Sequence, residues 1–391
     1  MNFQRMEDLD LNEKRVLIRE DLNVPMDGKK IINDTRIRMA VPTIKLALEK
    51  GAHVFVMSHL GRPKEGVSIH EQPSFSLAPV RDKLSELLRC DVRFETQYLN
   101  QAIEPNKSGI TLLENARVNI GETSNDETLA RNYARLCDIF IMDAFGTAHR
   151  AQASTHGVIK HSAKSCAGLL LSGELDALTR SLENPDMPVL AIIGGAKIDG
   201  KLGILETLAA KVDQLMVGGG IANTFLAAKG INIGNSIYEP SLIPLAKKLM
   251  SETNIPLPID VATAKNFNPS EPRVIKSVKD IASDEMILDI GPETIKERIG
   301  TIAKMKTIIW NGPVGVFEFK NFSVGTEAIA KAIAQNTGFS IAGGGETISA
   351  IDTFEVTKDI SYISTGGGAF LEYLEGSKLP SIAMLEERCL N

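Results

Sequence analysis

The sequence predicts an α/β fold: two doubly wound parallel-sheet (Rossmann-like) domains joined by a long helix and hinge. Three observations carry this. Short aliphatic or β-branched runs recur along the chain, segments with helical spacing lie between them, and in the second half most runs are followed at once by glycine doublets or triplets. A chain of 391 residues is also about two to three times the usual domain length.

In chain order, the strands of the first half are RVLIR (15–19), HVFVM (53–57), TLLEN (111–115) and IFIMD (139–143). Each is short, apolar and bounded by polar or turn residues, as a strand covered on both faces must be. The segment 162–183 then carries Leu169, Leu170, Leu171, Leu175, Leu178 and Leu182 without a proline, so it reads as a long connecting helix that Pro185 and Pro188 end. Beyond it lie VLAII (189–193), QLMV (214–217), PIDVA (258–262), MILDI (286–290), TIIW (307–310), FSIA (339–342) and YIST (362–365), with helical spacing over 202–211 and 324–335. All seven are expected in one parallel sheet. The domains on this reading are 1–168 and 185–369, with 169–184 as the interdomain helix.

Composition excludes several classes. No apolar run approaches the ~20 residues of a membrane-spanning helix, and the acidic start MNFQRMEDLDLNEKR lacks the basic and then apolar order of a signal peptide, so a cytoplasmic protein is expected. A net charge of -6 gives no general attraction to nucleic acid or an anionic membrane. Cys90, Cys137, Cys166 and Cys389 are far apart with no C-x-x-C pair, which argues against a zinc site or a disulfide framework.

Residue types are unevenly spread. Thirteen of the 17 arginines fall before residue 151, whereas 22 of the 32 glycines fall from Pro185 onward. Glycines after strands sit at the carboxyl edge of such a sheet, where backbone N–H groups can approach an anion. Four clusters do this: 194–195, 218–220, 343–345 and 366–368. Together they favour phosphate or nucleotide over turns alone. Residues 195–201 fit G-x4-G-K, but Leu202 stands where a Ser or Thr hydroxyl would hold Mg²⁺, so the match is accidental. Lys197 and Lys201, four apart, suit a polyphosphate if a helix opens there.

In the first half Arg19, Arg36, Arg38, Arg62, Arg117 and Arg150 flank strand ends, with Asp21, Asn23 and His59 among them. Arginine forks hold carboxylate and phosphate in a bidentate way, so one polyanionic small molecule explains them better than scattered surface charge. Asp143 reads either as a general base or as a carboxylate holding arginines in place.

The motifs RVLIREDLNVP (15–25), SHLGRP (58–63), MDAFGTAHRA (142–151), IIGGAK (192–197), VGGGIA (217–222), LDIGPET (288–294), WNGPVGVFE (310–318), GGGET (343–347) and STGGGA (364–369) together resemble the phosphoglycerate kinase family, in family order over nearly the whole chain. The resemblance implies phosphoryl transfer between 1,3-bisphosphoglycerate and ADP, giving 3-phosphoglycerate and ATP, in a monomer that closes about a hinge near the connector and Gly366. It implies an N-terminal domain that binds 3-phosphoglycerate through Asp21, Leu22, Asn23, Arg36, His59, Leu60, Gly61, Arg62, Arg117 and Arg150. It implies a C-terminal domain that binds ADP or ATP through Lys201, Gly291, Glu318, Gly344, Gly345, Glu346 and Thr347. Arg36, Lys197, Gly345 and Gly368 would stabilise the transferring group, and the tail 370–391 would return to the first domain. No nucleic acid or membrane partner is implied.

Two positions depart from the family pattern. Glu346 replaces the metal-binding aspartate of GGGDT and is one methylene longer, so Mg²⁺ would shift or be held mainly through the nucleotide phosphates. Ala116 is smaller than the usual residue before the arginine. Two other readings of the residues stand beside this one: a kinase acting on a hydroxyl with Asp21 or Asp143 as base, and a two-lobed anion-binding protein without chemistry.

Overall fold

The computed structural model describes residues 2–99, 103–196 and 201–390. The chain divides into two compact units, Met1–Leu175 with Lys378–Asn391, and Asp176–Ser377.

The first unit is built on parallel strands β1 (Arg15–Arg19), β2 (His53–Met57), β3 (Asp91–Glu95), β4 (Gly109–Leu113), β5 (Ile139–Met142) and β6 (Lys164–Ala167), in spatial order β3-β4-β2-β1-β5-β6. The last four residues of β1, β2 and β4 and all of β5 are buried. Helices cover both faces of a parallel sheet, which is why these runs are apolar throughout rather than alternating. Val16, Ile18, Val54, Val56, Leu112 and Ile141 pack with Ile37 and Ile44 of the helix Thr35–Glu49. Strand order reverses between β1 and β5, and this switch point opens a crevice at the strands' carboxyl ends.

The second unit holds parallel strands β7 (Val189–Ile193), β8 (Gln214–Val217), β12 (Thr307–Asn311), β13 (Phe339–Ala342) and β14 (Tyr362–Ile363), ordered β8-β7-β12-β13-β14. Its switch point lies between β7 and β12. Trp310, Ile308, Leu190, Ile192 and Ile329 form the centre of its core.

Three expectations are corrected. The runs at 258–262 and 286–290 do not join the parallel sheet. They become β9 (Asp260–Ala264) and β11 (Met286–Ile290), which flank β10 (Val274–Ser277) in order β10-β9-β11 in a separate antiparallel sheet. No helix intervenes between these strands, and a parallel pair needs a long crossover. The helix expected over 162–183 spans only Leu169–Leu182, because 164–167 pair with β5 as the edge strand β6. The boundary between the units falls inside this helix.

The tail expected from 370 is also divided. The helix Gly368–Leu374 packs on Leu202–Ala209 within the second unit, where Thr207 Oγ1 donates to the Glu375 carbonyl at 2.9 Å. From Lys378 onward the chain belongs to the first unit, where helix Pro380–Leu390 packs on Val158–His161 and β6. Smaller shifts occur at strand ends. TLLEN stops at Leu113, although Glu114 N still donates to the Glu95 carbonyl (2.8 Å) and the Glu114 carboxylate accepts Leu77 N (2.9 Å) and Ser76 Oγ (2.7 Å). Among the described residues no helix is long and apolar enough to cross a membrane.

Candidate active site

In the first unit the loops after β1 and β2 are stitched together at the switch point. Ser58 Oγ accepts Leu22 N at 2.9 Å, and Asn23 Oδ1 accepts Gly61 N at 2.8 Å. Arg36, at the start of helix Thr35–Glu49, reaches back to Asp21 Oδ2 (3.2 Å) and the Asn23 carbonyl (2.8 Å). Leu22 and Leu60 bury their side chains in the core, so only their backbone faces the loops. Arg117 Nη1 donates to the Gly61 carbonyl at 2.9 Å, and its own N–H is capped by Asn115 Oδ1 at 3.0 Å. Arg62, Arg117 and Arg150 line one cavity of about 320 Å³ with Glu65, Thr123 and Gln152.

The electrostatics of this cluster are unbalanced toward positive charge. His59 is held well below the usual imidazole range, first by burial and then by Arg19, Arg117, Arg150 and Arg36. Burial, Arg150 and Arg19 push the Arg117 guanidinium down to about 10. A phosphate or carboxylate bound among these groups would relieve that repulsion.

Asp143 takes neither of its expected roles. It is buried, its Oδ1 accepts Leu171 N at 3.0 Å at the start of helix Leu169–Leu182, and its partner is the carboxyl of Glu20 rather than an arginine. Burial pushes it up to about 6.

In the second unit the turns after β7 and β8 lie against each other and against the loop after β12. Gly195 N donates to the Pro313 carbonyl (3.0 Å), Gly219 N to the Val314 carbonyl (3.2 Å) and Gly220 N to the Gly195 carbonyl (3.0 Å). Gly195 has φ +112, and a Cβ there would lie 2.9 Å from Glu346 Oε2 and 3.3 Å from Lys201 Nζ. Those two side-chain ends could shift, so it is the positive φ that favours glycine at this turn. Beside it opens a cavity of about 490 Å³ with mostly apolar walls, among them Ile237, Val314, Val316 and Phe319, and with Glu318 and Glu346 on its lining. That is the size and character of a site for one organic ring system with a few polar anchors.

Lys201 immediately precedes helix Leu202–Ala209; its Nζ donates to the Gly194 carbonyl at 2.6 Å, and burial lowers its pKa against the pull of Glu346. Lys197 lies outside the described residues, so the shared face expected for the two lysines is not described. Gly344 (φ +98) turns the chain into helix Gly345–Thr353. Thr347 is consumed structurally, its Oγ1 accepting Gly312 N (2.7 Å) and donating to the Gly343 carbonyl (2.8 Å). Gly291 does not line the cavity; it is buried beside the Asp260 carboxylate at the start of helix Pro292–Ile302. Gly368 begins helix Gly368–Leu374.

Sequence reasoning passed over Asp289. It lines the same cavity, accepts Gly325 N at 2.8 Å, lies 3.4 Å from Arg273 Nη2, and is pushed up to about 7 by burial. The only signal was one acidic residue inside an apolar strand, MILDI.

A family model described as phosphoglycerate kinase matches residues 6–377. A phosphoglycerate kinase structure from Coxiella burnetii is 48% identical, with 99% of this chain and 100% of that chain covered and a TM-score of 0.95. A second, from Pyrococcus horikoshii OT3, is 30% identical, with 98% and 99% covered and a TM-score of 0.82. With both switch-point sites in place, these matches identify the chain as a member of the phosphoglycerate kinase family.

Proposed function

We propose that the two clusters divide the substrates of the family's reaction. The activity itself is the reversible transfer of a phosphoryl group between 1,3-bisphosphoglycerate and ADP in glycolysis. In this reading 3-phosphoglycerate binds in the first unit through Asp21, Asn23, Arg36, His59, Arg62, Arg117 and Arg150, with backbone groups of Leu22, Leu60 and Gly61. ADP or ATP binds in the second, its base against the apolar walls, Glu318 toward the ribose, and Lys201 with residues 344–347 toward the phosphates. The gathering of Arg62, Arg117 and Arg150 on one cavity of about 320 Å³ is the observation that carries the assignment.

The chemistry needs charge and position rather than a base. A carboxylate or a diphosphate is already ionised near neutral pH, and the transition state spreads negative charge over three equatorial oxygens. Arg36, Lys197 and the N–H groups of Gly345 and Gly368 supply the opposing charge. A hydroxyl kinase with Asp143 as base finds no support, since that carboxyl is buried under a helix and Asp21 is paired with Arg36.

Glu346 fits a Mg²⁺ ligand. It is an exposed carboxylate, its Oε2 and the Lys201 ammonium both close on the Gly195 turn, and Mg²⁺ takes one or two carboxylates plus substrate phosphates. Among the described residues no group of three or more His, Cys, Asp or Glu could hold a metal. When bound, Mg²⁺ neutralises phosphate charge. The reading includes a cytoplasmic monomer whose units close over both substrates to exclude water; small-angle scattering that shows no compaction with both bound would count against closure.

The test is ATP- and Mg²⁺-dependent phosphorylation of 3-phosphoglycerate in a coupled assay. Turnover in the parent, collapse in Arg36→Ala and Lys197→Ala, and retained turnover in Glu346→Asp are expected. A folded parent that is inactive with Mg²⁺ and with Mn²⁺ returns the chain to the anion-binding reading.

A further inference from the structure

Beneath the glycerate cluster runs a buried polar chain that the assignment above does not use. Arg19 ends β1 with no exposed surface, and each of its three guanidinium nitrogens has a partner. Nε donates to Ser154 Oγ at 3.0 Å, Nη1 donates to the Glu20 carbonyl, and Nη2 meets His59 Nδ1 at 3.2 Å. Ser154 is itself held on both sides of one carboxylate, its Oγ 2.5 Å from Glu122 Oε1 and its N–H 3.2 Å from Oε2. Glu122 is buried and is the counter-charge that Arg19 feels most strongly.

We propose that Arg19 is a positioning residue that fixes the tautomer of His59, so that the ring presents Nε2–H to the glycerate as a neutral donor. A guanidinium can only donate, so Nδ1 must be the acceptor. Burial first, and then the charges of Arg19 from β1, Arg117, Arg150 and Arg36, with Asp21 held on Arg36, keep the ring well below the ordinary imidazole value and so disfavour a second proton. A neutral imidazole with Nδ1 occupied carries its one proton on Nε2, which no described residue engages.

The planar fork explains why an arginine is needed. Ser154 and the Glu20 carbonyl fix two of its nitrogens, and the third is then aimed at Nδ1 with little rotational freedom. A lysine at 19 would keep the charge and lose the fork. The neutral ring also matters for binding, because an imidazolium among four arginines would exchange protons with solvent whenever the anion left, whereas a fixed N–H donor does not titrate. The link to glycerate rests on placing His59 in the substrate pocket; the tautomer does not.

Nitrogen-15 imidazole spectra of the full chain, assigned with His59→Gln, test the proposal. In the parent, His59 is expected with Nε2 protonated and Nδ1 pyridine-like, without titrating between about pH 8 and about pH 5.5. Protonation at Nδ1, or titration near the ordinary imidazole value, overturns it whether or not any variant folds. In Arg19→Lys both tautomers should appear, affinity for 3-phosphoglycerate should fall about tenfold, and ATP affinity should hold. An unchanged tautomer in that variant also overturns the proposal. A parent with the expected tautomer but no affinity for 3-phosphoglycerate overturns the substrate assignment instead.

Discussion

Glu20 and Asp143 show what a single residue can impose on the fold. Both are fully buried, and neither Glu20 oxygen nor Asp143 Oδ2 meets an N–H or O–H donor. Burial and the neighbouring Asp143 raise Glu20 well above its ordinary value, and the O–H of a protonated Glu20 would donate a hydrogen bond to the Asp143 carboxylate. A carboxyl raised on folding stabilises below its unfolded pKa, and that stability is lost as pH rises through the folded value. For Asp143 the window runs from roughly 3.9 to about 6, and Glu20 is shifted in the same direction. Glu20→Gln retains a donor and removes the titration. Urea midpoints measured across the neutral range should therefore fall with pH more steeply in the parent than in the variant, by up to ~1.4 kcal/mol per pH unit; parallel curves would sink the shared-proton account. The gathering of Arg62, Arg117 and Arg150 was legible because the sequence sets each beside a strand end. The inward role of Arg19, and the partners Ser154 and Glu122, were not, since a charged residue closing an apolar run gives no sign of which way it points.

At the scale of elements, the turns after β7 and β8 depend on mutual close approach. Gly219 has φ +58 and a Cβ there would lie 2.6 Å from the Gly195 carbonyl, whereas Gly28 has φ +55 with nothing within 4 Å. The two positions share backbone strain and differ in space. Gly28→Ala should cost roughly 1–2 kcal/mol. Gly219→Ala should cost at least about 1 kcal/mol more and weaken ATP binding without changing 3-phosphoglycerate binding. Equal costs, measured by thermal unfolding and by titration of each ligand, would show that close approach at this turn does not matter. Strand existence was readable here, since β1, β2, β7, β8, β11 and β13 coincide with their runs. Strand partnership was not. MILDI looks like any buried parallel strand, yet it pairs antiparallel with β9 because no crossover helix separates them.

For the whole molecule, the decisive feature is where the chain leaves and rejoins its first unit. Leu379, Ile382, Met384 and Leu385 of the returning segment are buried, each worth roughly 1.5–3 kcal/mol on the apolar-area scale. Ending the chain after Ser377 should therefore lower hydrogen-exchange protection in β5, β6 and the helix Val158–His161. Protection in β7, β12 and β13 should stay as it is. Uniform loss across both units, or none, would contradict the division of the chain.

By itself the sequence determined the strand-forming runs, the arginine and glycine halves and the family, because each rests on residue identity within short windows. Tertiary structure alone decided that Asp143 serves a helix start and not a proton transfer, that Arg19 grips His59, and that Asp289 lines the apolar cavity. Those outcomes depend on distance and on exclusion of water between residues remote in sequence, here Arg19 and Ser154 or Glu20 and Asp143.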